Sequence, residues 1–251
     1  GVGAKDVALN LARRLGADGA TYRALEFTGP GLARLDMDDR IVLANMSVEF
    51  GAKAGLFPCD EILDAYLSAG GVGDYHRVES DSGCDYESTL EIDLGALVPQ
   101  LALPHRVDNV IDLGDAPYTS VDVVYLGTCT GGRVRDYEEA LEVFRAAECL
   151  SPEVSVIVTP ASRDIHRTMM RRGMIKEFRE FGARVELPGC GACCGTCGPI
   201  PGANQKIISS ANRNFKGRMG NASAEIFLAS PVSCAKAAVT GSFGKRNPEN
   251  G

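Results

Sequence analysis

The sequence predicts an α/β protein organised round a mainly parallel sheet, and two observations carry the prediction. From residue 107 onward, short apolar runs alternate with helical patterns in repeated strand–loop–helix units. The run Val121–Gly127 (VDVVYLG) is apolar nearly throughout instead of alternating, as expected of a strand covered on both faces. Upstream the pattern differs, and two prolines within Val98–His105 mark a boundary. That boundary divides the chain into domains 1–106 and 107–251. At 251 residues and 45% hydrophobic content, the chain can fill one large or two ordinary cores.

The elements follow in order. Val7, Leu11 and Leu15 fall at helical spacing within Lys5–Leu15, an amphipathic helix stopped by Gly16. Tyr22–Thr28 reads as a short strand, ended by Gly29-Pro30-Gly31. A helix is expected from about Asp38 to Ala54, with Asn45 and Glu49 four residues apart and so on one face. Both are polar in a segment otherwise apolar enough to be buried, and buried polar groups need partners. They are either a hydrogen-bonded pair or two residues facing a site. Asp60–Leu67 is a further helix, Gly70–Gly73 a turn, and Leu90–Leu94 alternates like a strand. Between them, Glu79, Asp81, Asp85 and Glu87 read as a solvated acidic loop rather than a metal cluster. Val121–Gly127 leads through Thr128-Cys129-Thr130-Gly131-Gly132-Arg133 into a helix over about Val134–Ala147. Val154–Thr159, Arg184–Leu187 and Glu225–Ala229 are the next strands, with helices over about Asp164–Phe181 and Ser233–Val239.

In parallel sheets of this kind, ligands bind outside the carboxyl ends of the strands. Cys129 lies just past one strand end, and Cys190 and Cys193 just past another. The stretch Leu187–Pro201 (LPGCGACCGTCGPIP) holds four of the chain's nine cysteines among glycines. Four readings compete for them. A zinc site could use Cys190, Cys193, Cys194 and Cys197, although four ligands so close in sequence are cramped. A dithiol–disulfide site prefers one isolated pair at a helix start. Inert burial suits Cys59, Cys149 and Cys234 better than a glycine-flanked loop. A [4Fe-4S] cluster held by Cys129, Cys190 and Cys193 would leave one iron open for chemistry. Downstream, Asn212, Arg213 and Arg218 form either an exposed basic turn or, beside a cluster loop, a site for substrate carboxylates, which arginine forks bind in bidentate fashion.

At these residues the chain resembles the large subunit of the aconitase / 3-isopropylmalate dehydratase family. Four stretches carry the resemblance: Asn45-Met-Ser-Val-Glu49-Phe-Gly, Gly127-Thr-Cys129-Thr-Gly-Gly-Arg133, Gly189-Cys190-Gly-Ala-Cys193-Cys-Gly195 and Asn212-Arg213-Asn-Phe-Lys-Gly-Arg218. Their order and spacing fit from end to end. The resemblance implies the aconitase iron–sulfur fold, with two α/β domains, each a mainly parallel sheet flanked by helices. It implies a [4Fe-4S] cluster, readily lost in air, on Cys129, Cys190 and Cys193. Asn45 and Asn212 would pack near the cluster, Glu49 would hydrogen-bond at the hydroxyl/water site, and Arg213 and Arg218 would bind substrate carboxylates. Cys194 and Cys197 would be bystanders. The implied activity is that of a hydro-lyase on a hydroxy di- or tricarboxylic acid, with 3-isopropylmalate of leucine biosynthesis first. Homoaconitate and methylmalate- or dimethylmalate-type substrates share these motifs, and a structural metal-binding module is the alternative outside enzymes.

Two departures stand out. The family reads Ser-Cys-Thr-Asn where this chain has Thr128-Cys129-Thr130-Gly131. Its His-Asp motifs have no counterpart here, since His76, His105 and His166 lie in unrelated contexts. Its catalytic serine lies on a swivelling domain, often a separate small subunit. The resemblance therefore implies a large-subunit fragment, without turnover by itself and expecting a small-subunit partner. Composition narrows the remaining classes. A net charge of −7 argues against nucleic acid. No apolar run suits a bilayer and no signal-peptide pattern opens the sequence. The odd cysteine number suits a reducing cytoplasm.

Overall fold

The apolar periodicity resolves into one large sheet with a different core on each face. The structure, a computed structural model, describes residues 1–245. It begins with α1 (Ala4–Leu15), β1 (Ala24–Glu26), α2 (Met37–Met46), a 3-10 turn at Ser47–Phe50, β2 (Ala54–Leu56) and α3 (Glu61–Ala69). A long irregular stretch leads to β3 (Gln100–Ala102) and β4 (Val110–Asp112). There follow β5 (Thr119–Ser120), β6 (Val123–Gly127), α4 (Val134–Ala147), β7 (Ser155–Thr159), α5 (Arg163–Arg171) and α6 (Met174–Glu180). The described chain closes with β8 (Arg184–Val185), β9 (Lys206–Ser209), β10 (Glu225–Leu228), α7 (Pro231–Thr240) and β11 (Ser242–Phe243).

Seven strands pair in the order β4-β3-β10-β9-β6-β7-β8. The run from β10 to β8 is parallel, and β3 and β4 add an antiparallel edge. Side chains alternate between the faces, as strand geometry requires. Val123, Tyr125, Ile157, Ile207, Ile226 and Leu228 join the core under α1 and α2, which supply Leu9, Leu43 and Met46. Val124, Leu126, Val156, Val158, Ile208 and Phe227 join the core under α4 to α7, with Tyr137, Phe144 and Phe178. The mainly parallel sheet flanked by helices is therefore present. The first hundred residues add a small parallel pair, β1 with β2. Residues 100–112, on either side of position 106, form the edge of the large sheet.

Several elements differ from the sequence-based expectation. The helix expected to reach Ala54 ends at Met46, where the Ser47 hydroxyl donates to the Leu43 carbonyl at 2.9 Å and Gly51 (φ 86°) turns the chain. The helix expected over Asp164–Phe181 is two helices, broken at the left-handed Gly173. Leu90–Leu94 is irregular; the Asp93 carboxylate accepts the Gly95 N–H and turns the chain instead. Strands β3, β4 and β9 were not expected. Cys234 is buried, but Cys149 is exposed in the loop after α4, and Cys59 is half-buried. The acidic loop is solvated, with Glu87 paired to Arg23.

Candidate functional site

Strands β6 and β9 are neighbours, yet the chain leaves them in opposite directions, β6 towards β7 and β8, β9 towards β10. Such a reversal opens a crevice at the carboxyl ends of the strands. The loops on its two sides begin at Thr128 and Ser210. Thr128 adopts a left-handed conformation (φ 65°), and its N–H donates to Thr159 O at 3.0 Å, which turns Cys129 out of the strand. Across the crevice, Asn212 Oδ1 lies 3.4 Å from Cys129 Sγ and accepts the Thr130 hydroxyl at 2.7 Å. Gly131 explains one departure from the family pattern. A Cβ there would lie 2.4 Å from Ser210 Cβ, so Ser210 fills the room that an asparagine would need.

Glu49 and Arg213 meet although far apart in sequence. Arg213 Nε donates to both Glu49 carboxylate oxygens at 2.8 Å, and its two Nη groups have no partner among the described residues. Glu49 lies in the 3-10 turn after α2 rather than on a continuous helix face with Asn45. Asn45 is half-buried at the end of α2, with no side-chain hydrogen bond among the described residues.

The cysteine loop folds back over β7. The Tyr125 hydroxyl donates to Cys190 O at 3.0 Å. Cys193 is buried, with Arg218 Nη2 3.8 Å from its sulfur. Arg218 also lies over the Phe215 ring at 5.5 Å, and its Nε is buried without a partner. The cysteine loop and the arginine loop touch through two glycines. A Cβ on Gly195 (φ 69°) would lie 2.4 Å from Gly220 N, so only glycine permits the contact.

All nine cysteines are free thiols. The Thr196 hydroxyl, 2.9 Å from Cys194 Sγ, lowers that thiol to about 7; Cys197 Sγ lies 4.0 Å away. Desolvation, followed by the neighbouring thiols, raises Cys190. Among the described residues, no three His, Cys, Asp or Glu side chains gather closely enough to hold a single metal ion. Cys190, Cys193, Cys194 and Cys197 therefore do not form a single-ion zinc site here. A four-iron cluster makes a different demand, because its thiolates bind separate irons and stand further apart. Three unpaired thiols on loops after β6 and β8, one of them against an arginine, are a donor set of the softness such a cluster takes.

Lys5 is the residue that sequence reading missed. It sits in the first turn of α1, yet is only 2% exposed. Its ammonium donates to Thr130 Oγ1 at 2.6 Å and Ala211 O at 3.1 Å. Burial lowers its pKa to about 8. The only available signal was a lysine at a position where the apolar stripe of α1 begins.

A family model described as the aconitase family (aconitate hydratase) matches residues 1–119 and 114–241. The chain is 46% identical over 244 residues to the 3-isopropylmalate dehydratase large subunit 1 of Thermotoga maritima, covering 96% of this chain and 58% of the relative. It is 45% identical over 242 residues to the 3-isopropylmalate dehydratase large subunit of Elusimicrobium minutum, with the same coverage. The 2,3-dimethylmalate dehydratase large subunit of Eubacterium barkeri is 40% identical over 242 residues, 96% of this chain and 57% of that one. The chain thus spans a little over half the length of these curated relatives. No helix among the described residues is long and apolar enough to cross a membrane.

Proposed function

The chain belongs to the aconitase family, and from that membership and the crevice between β6 and β9 we propose that it is the cluster-bearing part of an iron–sulfur hydro-lyase. The reaction is reversible dehydration of a hydroxy di- or tricarboxylic acid. Similarity to 3-isopropylmalate dehydratase large subunits favours 3-isopropylmalate over 2,3-dimethylmalate, whose relative is less similar. The observation that carries the reading is the meeting of Cys129 with Asn212 and of Glu49 with Arg213, drawn from three distant segments.

Cys129, Cys190 and Cys193 would hold a [4Fe-4S] cluster. When bound, the cluster supplies a Lewis acid for a departing hydroxide, a poor leaving group on its own. The chain's own residues do the rest. Arg213, held through Nε by Glu49, offers its free Nη groups to a carboxylate. Arg218, with Nε unpaired, offers a second cation, and together they offset charge that develops as a proton leaves carbon. Asn45 and Asn212 present amides to the hydroxyl or carboxylate. Glu49 sits where it can exchange a hydrogen bond with the departing water. The proton-abstracting base would come from a small, swivelling-domain subunit. A cytoplasmic setting suits an oxygen-sensitive cluster.

The test is anaerobic reconstitution with iron and sulfide, counting both and recording the EPR spectrum. Four irons are expected for the native chain and for Cys194→Ser, with loss of the cluster in Cys129→Ser and Cys190→Ser. The loaded protein, paired with a small subunit, should then dehydrate 3-isopropylmalate. Retention of all iron in Cys129→Ser, or loss only in Cys194→Ser, would overturn the ligand assignment.

A further inference from the structure

Lys5 is a buried ammonium with no carboxylate in ion-pairing range among the described residues. Burying a charge without a counter-ion is costly, and here hydrogen bonds alone offset that cost. It contacts three separate segments: Thr130 after β6, Ala211 after β9, and Met46 of α2, whose sulfur is 3.8 Å away. None of these is a cysteine of the candidate cluster site, but Thr130 follows Cys129 and Ala211 precedes Asn212.

The direction of the hydrogen bonds follows from the donor inventory. An ammonium can only donate, so Thr130 Oγ1 must accept from Lys5. The single Thr130 hydroxyl proton is then available for one acceptor. Asn212 Oδ1 lies at 2.7 Å, whereas the alternative, Ser210 O, lies at 3.5 Å. The amide oxygen of Asn212 is thereby fixed towards Thr130. A flipped amide would donate to the hydroxyl and force its proton onto Ser210 O, the longer and weaker contact at 3.5 Å. With Oδ1 committed, Asn212 Nδ2 makes no hydrogen bond to the described chain and is left for a ligand in the crevice.

We infer that Lys5 is a positioning residue, acting through Thr130 to hold Asn212 with its amide nitrogen presented to the substrate side of the crevice. This rests on the proposed function only for what Nδ2 binds; the relay itself is a property of the folded chain.

The test compares Lys5→Met, Thr130→Val, Thr130→Ser and Asn212→Ala, singly and combined, in the cluster-loaded protein with its small subunit. Lys5→Met and Thr130→Val should each lower kcat/KM by about tenfold, the scale of one charge-assisted hydrogen bond, while iron content stays at the native value. Thr130→Ser, which keeps the hydroxyl, should recover most of the loss. On the Asn212→Ala background, Lys5→Met should change kcat/KM by less than about twofold, because the group it positions is gone. Full additivity of Lys5→Met with Asn212→Ala, or loss of iron in Lys5→Met, would overturn the relay. A second arm needs no turnover. In the same chain, the shift in melting temperature on Lys5→Met should depend on Asn212 when Thr130 is present, and cease to depend on it in Thr130→Val. Equal dependence in both backgrounds would also overturn the relay. Inactive native protein that still shows this coupling would count against the proposed reaction and leave the relay standing.

Discussion

Asp136 sits in the first turn of α4, where its carboxylate accepts the Arg133 N–H at 2.9 Å. Burial raises its pKa from 3.8 to about 6. The folded chain therefore binds this proton more tightly than the unfolded chain. Its contribution to stability is full below about pH 4, falls as pH rises to about 6, and stays lost above that. Asp136→Asn keeps an acceptor at the helix start and removes the titration. Relative to the native chain, it should gain up to about 3 kcal/mol at pH 7 and little at pH 4, read from urea midpoints at the two values. At this scale the sequence was partly legible. Cys129, Asn212, Glu49 and Arg213 could be singled out by residue type together with the motifs of the family resemblance, and the structure brings them together in pairs. The Glu49–Arg213 pairing could not, since nothing local links two residues on different loops. Lys5 could not either, because a lysine in a helical first turn reads as a solvated side chain until the loops above it are in place.

Asp60 illustrates how elements are tied. It caps α3 by accepting the Leu63 N–H at 3.2 Å, and it binds the Arg40 guanidinium at 2.7 and 2.6 Å. Arg40 lies in α2 with its side chain 2% exposed, and also donates to the carbonyls of Leu32 and Leu35. The arginine holds the Asp60 carboxyl below its ordinary pKa. This pair's stabilisation is present at neutral pH and is lost as pH falls through that lowered value. Asp60→Ala leaves a buried cation half-paired and should cost about 3–5 kcal/mol in chemical unfolding, far beyond the ~1 kcal/mol of a helix cap alone. Among the elements, Val134–Ala147 was readable to the residue, because its apolar stripe and its flanking loops agree. The strand β9 was not. Lys206–Ser209 contributes only two apolar residues, and it follows a proline- and glycine-rich loop that masks its start. Missing it hid the reversal between β6 and β9, and with it the reason that Asn212 and Cys129 meet. The helix after Asp38 was overextended because apolar residues continue past Met46, while the backbone there is decided by Ser47 and Gly51.

The whole molecule depends on both faces of one sheet being covered. Residues 4–52 supply the cover for Val123, Tyr125, Ile207 and Ile226, while α4 to α7 cover the opposite face. A polypeptide of residues 107–251 alone would expose the first face and lose β3 and the ammonium of Lys5. It should lack a cooperative thermal transition and bind a hydrophobic dye, whereas residues 1–251 should melt in one step; a folded 107–251 would show that the second half needs no cover. The nearly unbroken apolar run along β6 made the parallel sheet readable from sequence, but which segment covers which face is a long-range fact that a local run does not carry. The back-to-back contact of Gly195 and Gly220 has a thermodynamic consequence of its own. It joins the loop that carries thiols to the loop that carries arginines, so whatever orders one lowers the cost of ordering the other. Linkage makes that effect reciprocal: the factor by which a bound cofactor tightens a carboxylate ligand is the factor by which the ligand retains the cofactor. If the proposed cluster and substrate bind these two loops, the protection that substrate gives the cluster would be the same free energy as the affinity for substrate that the cluster confers.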